Sequence, residues 1–318
     1  MPSRAGDNRR YQYDCRPRGW GCTVSPVPLG CVLGGRFDLV EVISEGGTST
    51  VYRAIDRIGL WAREQNPEVA VKVIQPHSKM RQKLVQLLHR EARLARNFLH
   101  RNLVQVYDSD YDGKYHYLVM ELLKGRSLAQ ILADRQRLPL SPSVSFQIVR
   151  AAGQGLAHMH CLGIVHGDLK PSNIFITSTG EIKILDFGTA FMLDVSPQHD
   201  RATAMLDQIG LLTPAYASPE MLMGEPRAES DDVYSLAVVA YLALTGAHPY
   251  AQQPANEALK ARLTPAPPLT ISPAQWRVLA SGLALNRRDR IETVGEFVQR
   301  LGRPPWFYRL FGQRALPS

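Results

Sequence analysis

Between His166 and Gly188 the chain reads HGDLKPSNIFITSTGEIKILDFG, and four side chains in it, Asp168, Lys170, Asn173 and Asp186, have the types and spacing that phosphoryl transfer requires. Such a transfer asks a protein mainly to position reactants and neutralise charge. One carboxylate orients the attacking hydroxyl while oxygen ligands hold Mg²⁺ on the phosphates. Asp168 suits the first role, Asn173 and Asp186 suit the metal, and Lys170 would offset charge building on the transferred group. The apolar runs 174–176 and 182–185 flank the turn-forming residues 177–180, and predict a hairpin that fixes the two metal ligands beside each other.

Those groups need a scaffold. Alternation in FDLVEVIS, TVYRAID, VAVKVI, LVQVYD and YHYLVMEL predicts five strands of an antiparallel sheet, interrupted by one helix over roughly 78–99 that carries Glu91. After Glu121 the pattern turns helical, most strongly over 144–162, from near Asp232, over 273–285 and over 292–301. Residues 1–36, rich in Arg, Gly and Pro and without either periodicity, read as a disordered basic arm.

The 318 residues with 45% hydrophobic content can bury a large core. No 18-residue apolar run exists and residues 1–10 are polar with no apolar segment following, so the expectation is a soluble, cytoplasmic protein. Cys15, Cys22, Cys31 and Cys161 match no zinc spacing and read as free thiols of a reducing compartment. The net charge of +8 is confined to the ends: residues 1–36 and 300–318 each carry +4, and the 27 basic and 27 acidic residues between them cancel. No basic face is indicated on the folded body, which excludes nucleic acid as an expected partner.

The stretch from His166 to Gly188 resembles the catalytic and Mg-binding loops of the eukaryotic-like (Hanks-type) serine/threonine protein kinases of bacteria. Similar letters occur in small-molecule phosphotransferases such as aminoglycoside and choline kinases, so other motifs must separate the two. In Val69-Ala70-Val71-Lys72-Val73, Lys72 resembles the strand lysine that holds the α- and β-phosphates, and Glu91, nineteen residues on, resembles its helix partner. The bland alternative is an exposed strand lysine. The order of independent motifs favours the pair.

Ser44-Glu45-Gly46-Gly47-Thr48-Ser49-Thr50-Val51 resembles a thinned glycine-rich loop over the phosphates. Gly46 keeps the middle glycine and Ser44 and Ser49 stand at the outer places, and a plain β-turn would also explain it. Met120, Glu121 and Leu123 correspond to gatekeeper and hinge, with backbone groups of Glu121 and Leu123 for an adenine and Val51, Ala70 and Phe175 as apolar walls. The alternative there is a strand end entering a loop.

Residues 210–220, GLLTPAYASPE, resemble the peptide-docking platform that protein kinases have and small-molecule kinases lack. The resemblance implies an Arg290 partner for Glu220, a bracing role for Asp232 beneath the catalytic loop, and a hydrogen bond from Thr213 to Asp168 and Lys170 in a Ser/Thr kinase. Thr213 could also merely cap a turn. Gly167 replaces the arginine that in many kinases reads an activation-segment phosphate, so the segment 186–220 is expected not to depend on phosphorylation through that contact. Replacing Ser196 and Thr203 by Ala is then expected to spare activity. The aromatic, basic tail 303–318 is expected to pack onto the large lobe, a peripheral membrane contact being the alternative.

The resemblance thus implies an α+β, bilobal protein-kinase fold over 37–302. A small five-stranded β lobe with one helix (37–121) would precede a larger, mainly helical lobe (125–302). It implies ATP and Mg²⁺, with Mn²⁺ as a possible substitute, protein Ser/Thr acceptors and autophosphorylation. A pseudokinase scaffold and a small-molecule phosphotransferase remain as alternatives.

Overall fold

A computed structural model of the chain describes residues 27–46, 49–74, 81–136, 138–193 and 212–302. Six strands, β1 (Val32–Leu33), β2 (Phe37–Glu45), β3 (Ser49–Asp56), β4 (Glu68–Ile74), β5 (Val106–Tyr111) and β6 (His116–Glu121), form one antiparallel sheet in the order β1-β2-β3-β4-β6-β5. The five predicted strands are all there. Their period-2 pattern buries Leu39, Tyr52, Val71, Val73 and Tyr117 in a small-lobe core. Helix α2 (Arg81–Ala95) buries Leu84, Leu88 and Ala92 in the main core, on the face opposite its exposed residues.

Residues 27–36, expected to belong to the arm, pack against the sheet. Val27 and Leu33 are buried, and the Tyr52 hydroxyl accepts from Val27 N–H at 3.1 Å and donates to Val27 carbonyl at 3.0 Å. Arg36 clamps Asp56 with two hydrogen bonds, and β1 pairs with β2. A two-residue strand among glycines shows no periodicity, and its burial depends on partners some twenty residues away, so the sequence pattern could not reveal it. Residues 1–26 of the expected arm lie outside the described residues. Asp56 also caps α1 (Arg57–Trp61), a short helix between β3 and β4 that the sequence pattern did not indicate.

After β7 (Gly125–Ser127), the larger lobe is mainly helical. Its first helices are α3 (Leu128–Asp134), with a Ser127/Gln130 capping box, and α4 (Pro142–Cys161), capped by Ser141 with Pro142 in its first turn. Then come β8 (Ile164–Val165), the hairpin β9 (Ile174–Thr177) and β10 (Ile182–Ile184), and β11 (Phe191–Met192). The predicted hairpin forms with Ile182 opposite Ile176, and β7 adds a third strand against β9. Helices α5 (Pro219–Leu222), α6 (Glu229–Thr245), α7 (Ala255–Lys260), α8 (Pro273–Gly282) and α9 (Val294–Leu301) complete it.

Every residue of α6 from Ser230 to Leu244 is buried, so the helix is an axial rod around which α4, α8 and α9 pack. Gly153 of α4 lets α9 approach closely, because a Cβ there would collide with Val298. No helix among the described residues is long and apolar enough to cross a membrane, and the tail 303–318 lies outside the described residues.

Candidate active site

Lys72 sits in the middle of β4, opposite Val51 of β3 and Leu118 of β6. Strand alternation sends Val71 and Val73 into the small-lobe core and turns Lys72 to the other face. There its Nζ lies 2.9 Å from Glu91 Oε2 and 2.9 Å from Asp186 Oδ1. The Glu91 side chain on α2 is 6% exposed, whereas that of Asp186 is 48% exposed. Asp186 has φ +62, a left-handed conformation that Asp tolerates better than most residues.

Charge is unevenly shared in this triad. The Lys72 ammonium holds the Asp186 carboxyl down at about 2 against the opposing effect of burial. Burial pushes Glu91 upward, helped by the Asp186 charge and resisted by Lys72. Burial would lower Lys72, but the two carboxylates outweigh it and keep the ammonium charged. Glu91 also accepts from Phe187 N–H at 3.3 Å, and Phe187 packs edge-on against Phe98 just past the helix, so contacts join α2 and its exit to the segment after Asp186.

Asp168 is held from three sides. Its Oδ2 pairs with Lys170 Nζ at 2.5 Å, its Oδ1 accepts from Thr213 N–H at 3.1 Å, and its carbonyl accepts from Asn173 Nδ2 at 2.9 Å. Lys170 Nζ also donates to Thr213 Oγ1 at 2.7 Å, the contact expected of Thr213. Beneath the loop, Asp232 of α6 accepts from His166 N–H at 2.8 Å and Gly167 N–H at 2.9 Å, the expected brace.

Two histidines that the sequence reading missed complete the brace. His160, at the end of α4, donates from Nε2 to Asp232 at 2.8 Å, and its pKa is raised because Asp232, then Glu229, overcome the lowering effect of burial. His166 accepts from Asp168 N–H through Nδ1 at 3.2 Å and donates from Nε2 to Leu185 carbonyl at 3.3 Å. That ring ties the backbone of Asp168 to the residue before Asp186, and Leu185 N–H donates in turn to Asn173 carbonyl at 2.8 Å. The signal available in the sequence was the run of histidines in HMHCLGIVHGD.

Around the cleft, Ser44 pairs with Val51 and Glu45 with Thr50, and Gly46 N–H donates to Ser49 carbonyl at 2.9 Å, closing the loop's base. Gly47 and Thr48 lie outside the described residues. Ala70 is buried in β4 opposite Met120. Glu121 ends β6 and its side chain accepts from Gln105 N–H at 2.7 Å and Lys183 Nζ at 2.6 Å, a tie between the small-lobe sheet and β10 that sequence reasoning did not anticipate. Met120 and Leu123 pack partly buried against the core, and Phe175 lies on β9 opposite Lys183.

The expected partner of Glu220 is in place: Arg290 Nη2 reaches Glu220 Oε2 at 2.9 Å, and Arg290 is fully buried. Asp231, with Ser218 Oγ at 2.7 Å and Arg287 Nη2 at 3.1 Å, extends the cluster. Gly167 has φ +77 and no side chain to offer a phosphate, and Ser196 and Thr203 lie outside the described residues.

Residues 37–300 match the protein kinase domain model. The chain is 33% identical over 293 residues to serine/threonine-protein kinase PknA of Mycobacterium tuberculosis, covering 87% of this chain and 64% of the relative. It is 35% identical over 221 residues to PknL of the same species, covering 69% and 51%. It therefore spans a little under two thirds of the first of these curated relatives and about half of the second. Among solved structures, the PknI kinase domain of M. tuberculosis superposes with TM-score 0.65 at 23% identity, covering 86% of this chain and 98% of that one. An apo form of PpkA superposes with TM-score 0.71 at 22% identity, covering 86% and 99%, and both likenesses speak to the bilobal kinase fold. With the fold, the motif order and the matched span in agreement, the chain belongs to the protein kinase family.

Proposed function

We propose that the chain is a serine/threonine kinase that transfers the γ-phosphoryl group of ATP to Ser and Thr hydroxyls of proteins, itself included. The observation that carries this reading is the Asp168–Lys170–Thr213 unit. One ammonium bridges the loop carboxylate and Thr213 of the docking segment, which supports a base and a peptide surface held together. The names of the relatives PknA and PknL support the same acceptor class.

In this reading Asp168 accepts the acceptor's hydroxyl proton as its oxygen bonds to the γ-phosphorus and the bridging P–O bond breaks, releasing ADP. Lys170 balances charge on the transferred group. Lys72, aimed by Glu91, holds the α- and β-phosphates. Residues 44–49 cover the phosphates, Val51 and Ala70 flank the adenine with Met120 at its back, and backbone groups of Glu121 and Leu123 bind its edge.

The residues present fit Mg²⁺. Lys72 and Gly188 N–H both approach Asp186 through Oδ1, leaving Oδ2 for a cation, and the Asn173 amide is oriented by its Nδ2 bond to Asp168. When bound, the ion neutralises phosphate charge, and Mn²⁺ has compatible oxygen chemistry.

The test is transfer from labelled ATP with Mg²⁺ to a generic basic protein, with Asp186→Asn as the control. Incorporation into Ser or Thr by the native chain alone is the expected result. Absence of transfer, or transfer only to small molecules, overturns the reading.

A further inference from the structure

The docking segment has a second anchor, far in sequence from Asp168. His248 lies two residues past the left-handed Gly246 that ends α6, and its Nε2–H donates to the carbonyl of Ala215 at 2.8 Å. Its Nδ1 accepts from Tyr250 N–H at 3.1 Å and Gln252 N–H at 3.0 Å. A ring nitrogen that accepts from backbone amides carries no proton, so these bonds define the neutral Nε2–H tautomer. The residue is 8% exposed, and burial pushes its pKa down against the weaker pull of the Ala215 carbonyl.

What the ring holds is the turn that begins at Thr213. Tyr216 N–H and Ala217 N–H donate back to Thr213 carbonyl at 2.9 and 3.2 Å, and the Tyr216 ring meets His248 edge-on with centroids 5.8 Å apart. Thr213 in turn binds Asp168 and Lys170. A hydrogen-bonded path therefore runs from His248 through Ala215 and the turn to the loop carboxylate. Beside it a cavity of about 180 Å³ opens between Ala129 and Leu132 of α3, Pro171, Tyr216 and His248 itself. Pro171 adjoins Lys170, so the cavity opens next to the place where an acceptor hydroxyl would meet Asp168.

We propose that His248 is a positioning residue for the protein substrate, fixing residues 213–217 so that the acceptor hydroxyl reaches Asp168 and a neighbouring substrate side chain rests in the cavity. The inference rests on the protein-phosphorylating reading above. His248 touches no reacting atom, and its effect falls on the peptide and not on the nucleotide.

Two substitutions divide its bonds. His248→Asn places an oxygen near the Nδ1 position, keeps the bonds to Tyr250 and Gln252, and cannot reach Ala215. His248→Gln keeps a donor near the Nε2 position and loses the acceptor. Loss of one buried hydrogen bond to the segment is expected to raise peptide KM about tenfold in His248→Asn, with KM for ATP unchanged, whereas His248→Gln, which keeps the donor, should raise peptide KM less than about threefold. Amide hydrogen exchange at Tyr216 and Ala217 should quicken in His248→Asn and not in His248→Gln.

An unchanged peptide KM in His248→Asn, a parallel rise in both KM values, or a tenfold rise in His248→Gln overturns the proposal. If His248→Asn does not fold, the peptide KM of His248→Gln decides by itself. If the native chain phosphorylates no protein, the functional reading fails, while unchanged exchange in His248→Asn independently refutes the anchoring.

Discussion

Two charge clusters of similar composition serve opposite ends. In the large lobe, Glu220 and Asp231 face Arg290 and Arg287. The three guanidinium nitrogens of Arg290 donate to Ala284 carbonyl, Ser230 carbonyl and Glu220, and Glu220 and Asp231 are nearly or fully buried. Burial would raise the Glu220 carboxyl, and Arg290 outweighs that and keeps it ionised. Acids and bases are equal in number, and Arg290 and Asp231 are fully buried, so the cluster balances its own charge. In the cleft, two carboxylates share the single ammonium of Lys72, and the surplus charge sits on Asp186, 48% exposed to the cleft. In the proposed function that surplus charge is what a metal ion would answer. The difference between a structural and a functional ion cluster here is one missing positive charge and one open side.

The contrast can be broken from either end. Arg290→Ala leaves Glu220 buried without its side-chain counter-ion and Asp231 with Arg287 alone, and should cost about 3–5 kcal/mol in urea unfolding, the largest effect expected. A loss under 1 kcal/mol would mean that the cluster is not structural. Asp186→Asn should do the reverse: the transition temperature holds, because Lys72 keeps Glu91 and Asn tolerates a positive φ, while turnover falls about 10²–10³-fold. Equal damage to stability and turnover would erase the distinction.

Glu91→Gln sharpens the comparison within the cleft. It keeps the shape and removes the charge that aims Lys72, and should reduce kcat/KM roughly ten- to hundredfold without loss of fold. The smallest effect concerns the brace under the catalytic loop. His160 has a raised pKa in the folded state, so the stability from its pairing with Asp232 is fully present below the ordinary histidine value and is lost as pH rises through the folded-state value above it. Unfolding scans across this window should show native stability falling with pH, and His160→Gln should flatten the slope.

What was legible in the sequence was whatever sits close together in the chain or repeats with a short period. Asp168, Lys170, Asn173 and Asp186 lie within one loop and hairpin, β3 alternates along its whole length, and β4 and β6 are short apolar runs. Lys72 and Glu91 and the Glu220–Arg290 pair were reached only because motif order supplied the partner. His160, His166, His248 and the Glu121–Lys183 tie stayed hidden, because each works through a backbone group or a side chain brought near by folding. A histidine's role depends on which nitrogen faces which partner, and no spacing rule encodes that. The packing of residues 27–36 stayed hidden for a related reason: ten residues with three glycines give no pattern until Tyr52 is placed opposite them.

That last contact has a mechanical side. Val27 is gripped by Tyr52 through both its amide and its carbonyl, and Tyr52 is the next residue after Val51 on β3, the strand that lies beside Lys72 on β4. Tension on Val27 would be felt first by β3, the strand beside Lys72, so this one residue is a lever on that part of the sheet.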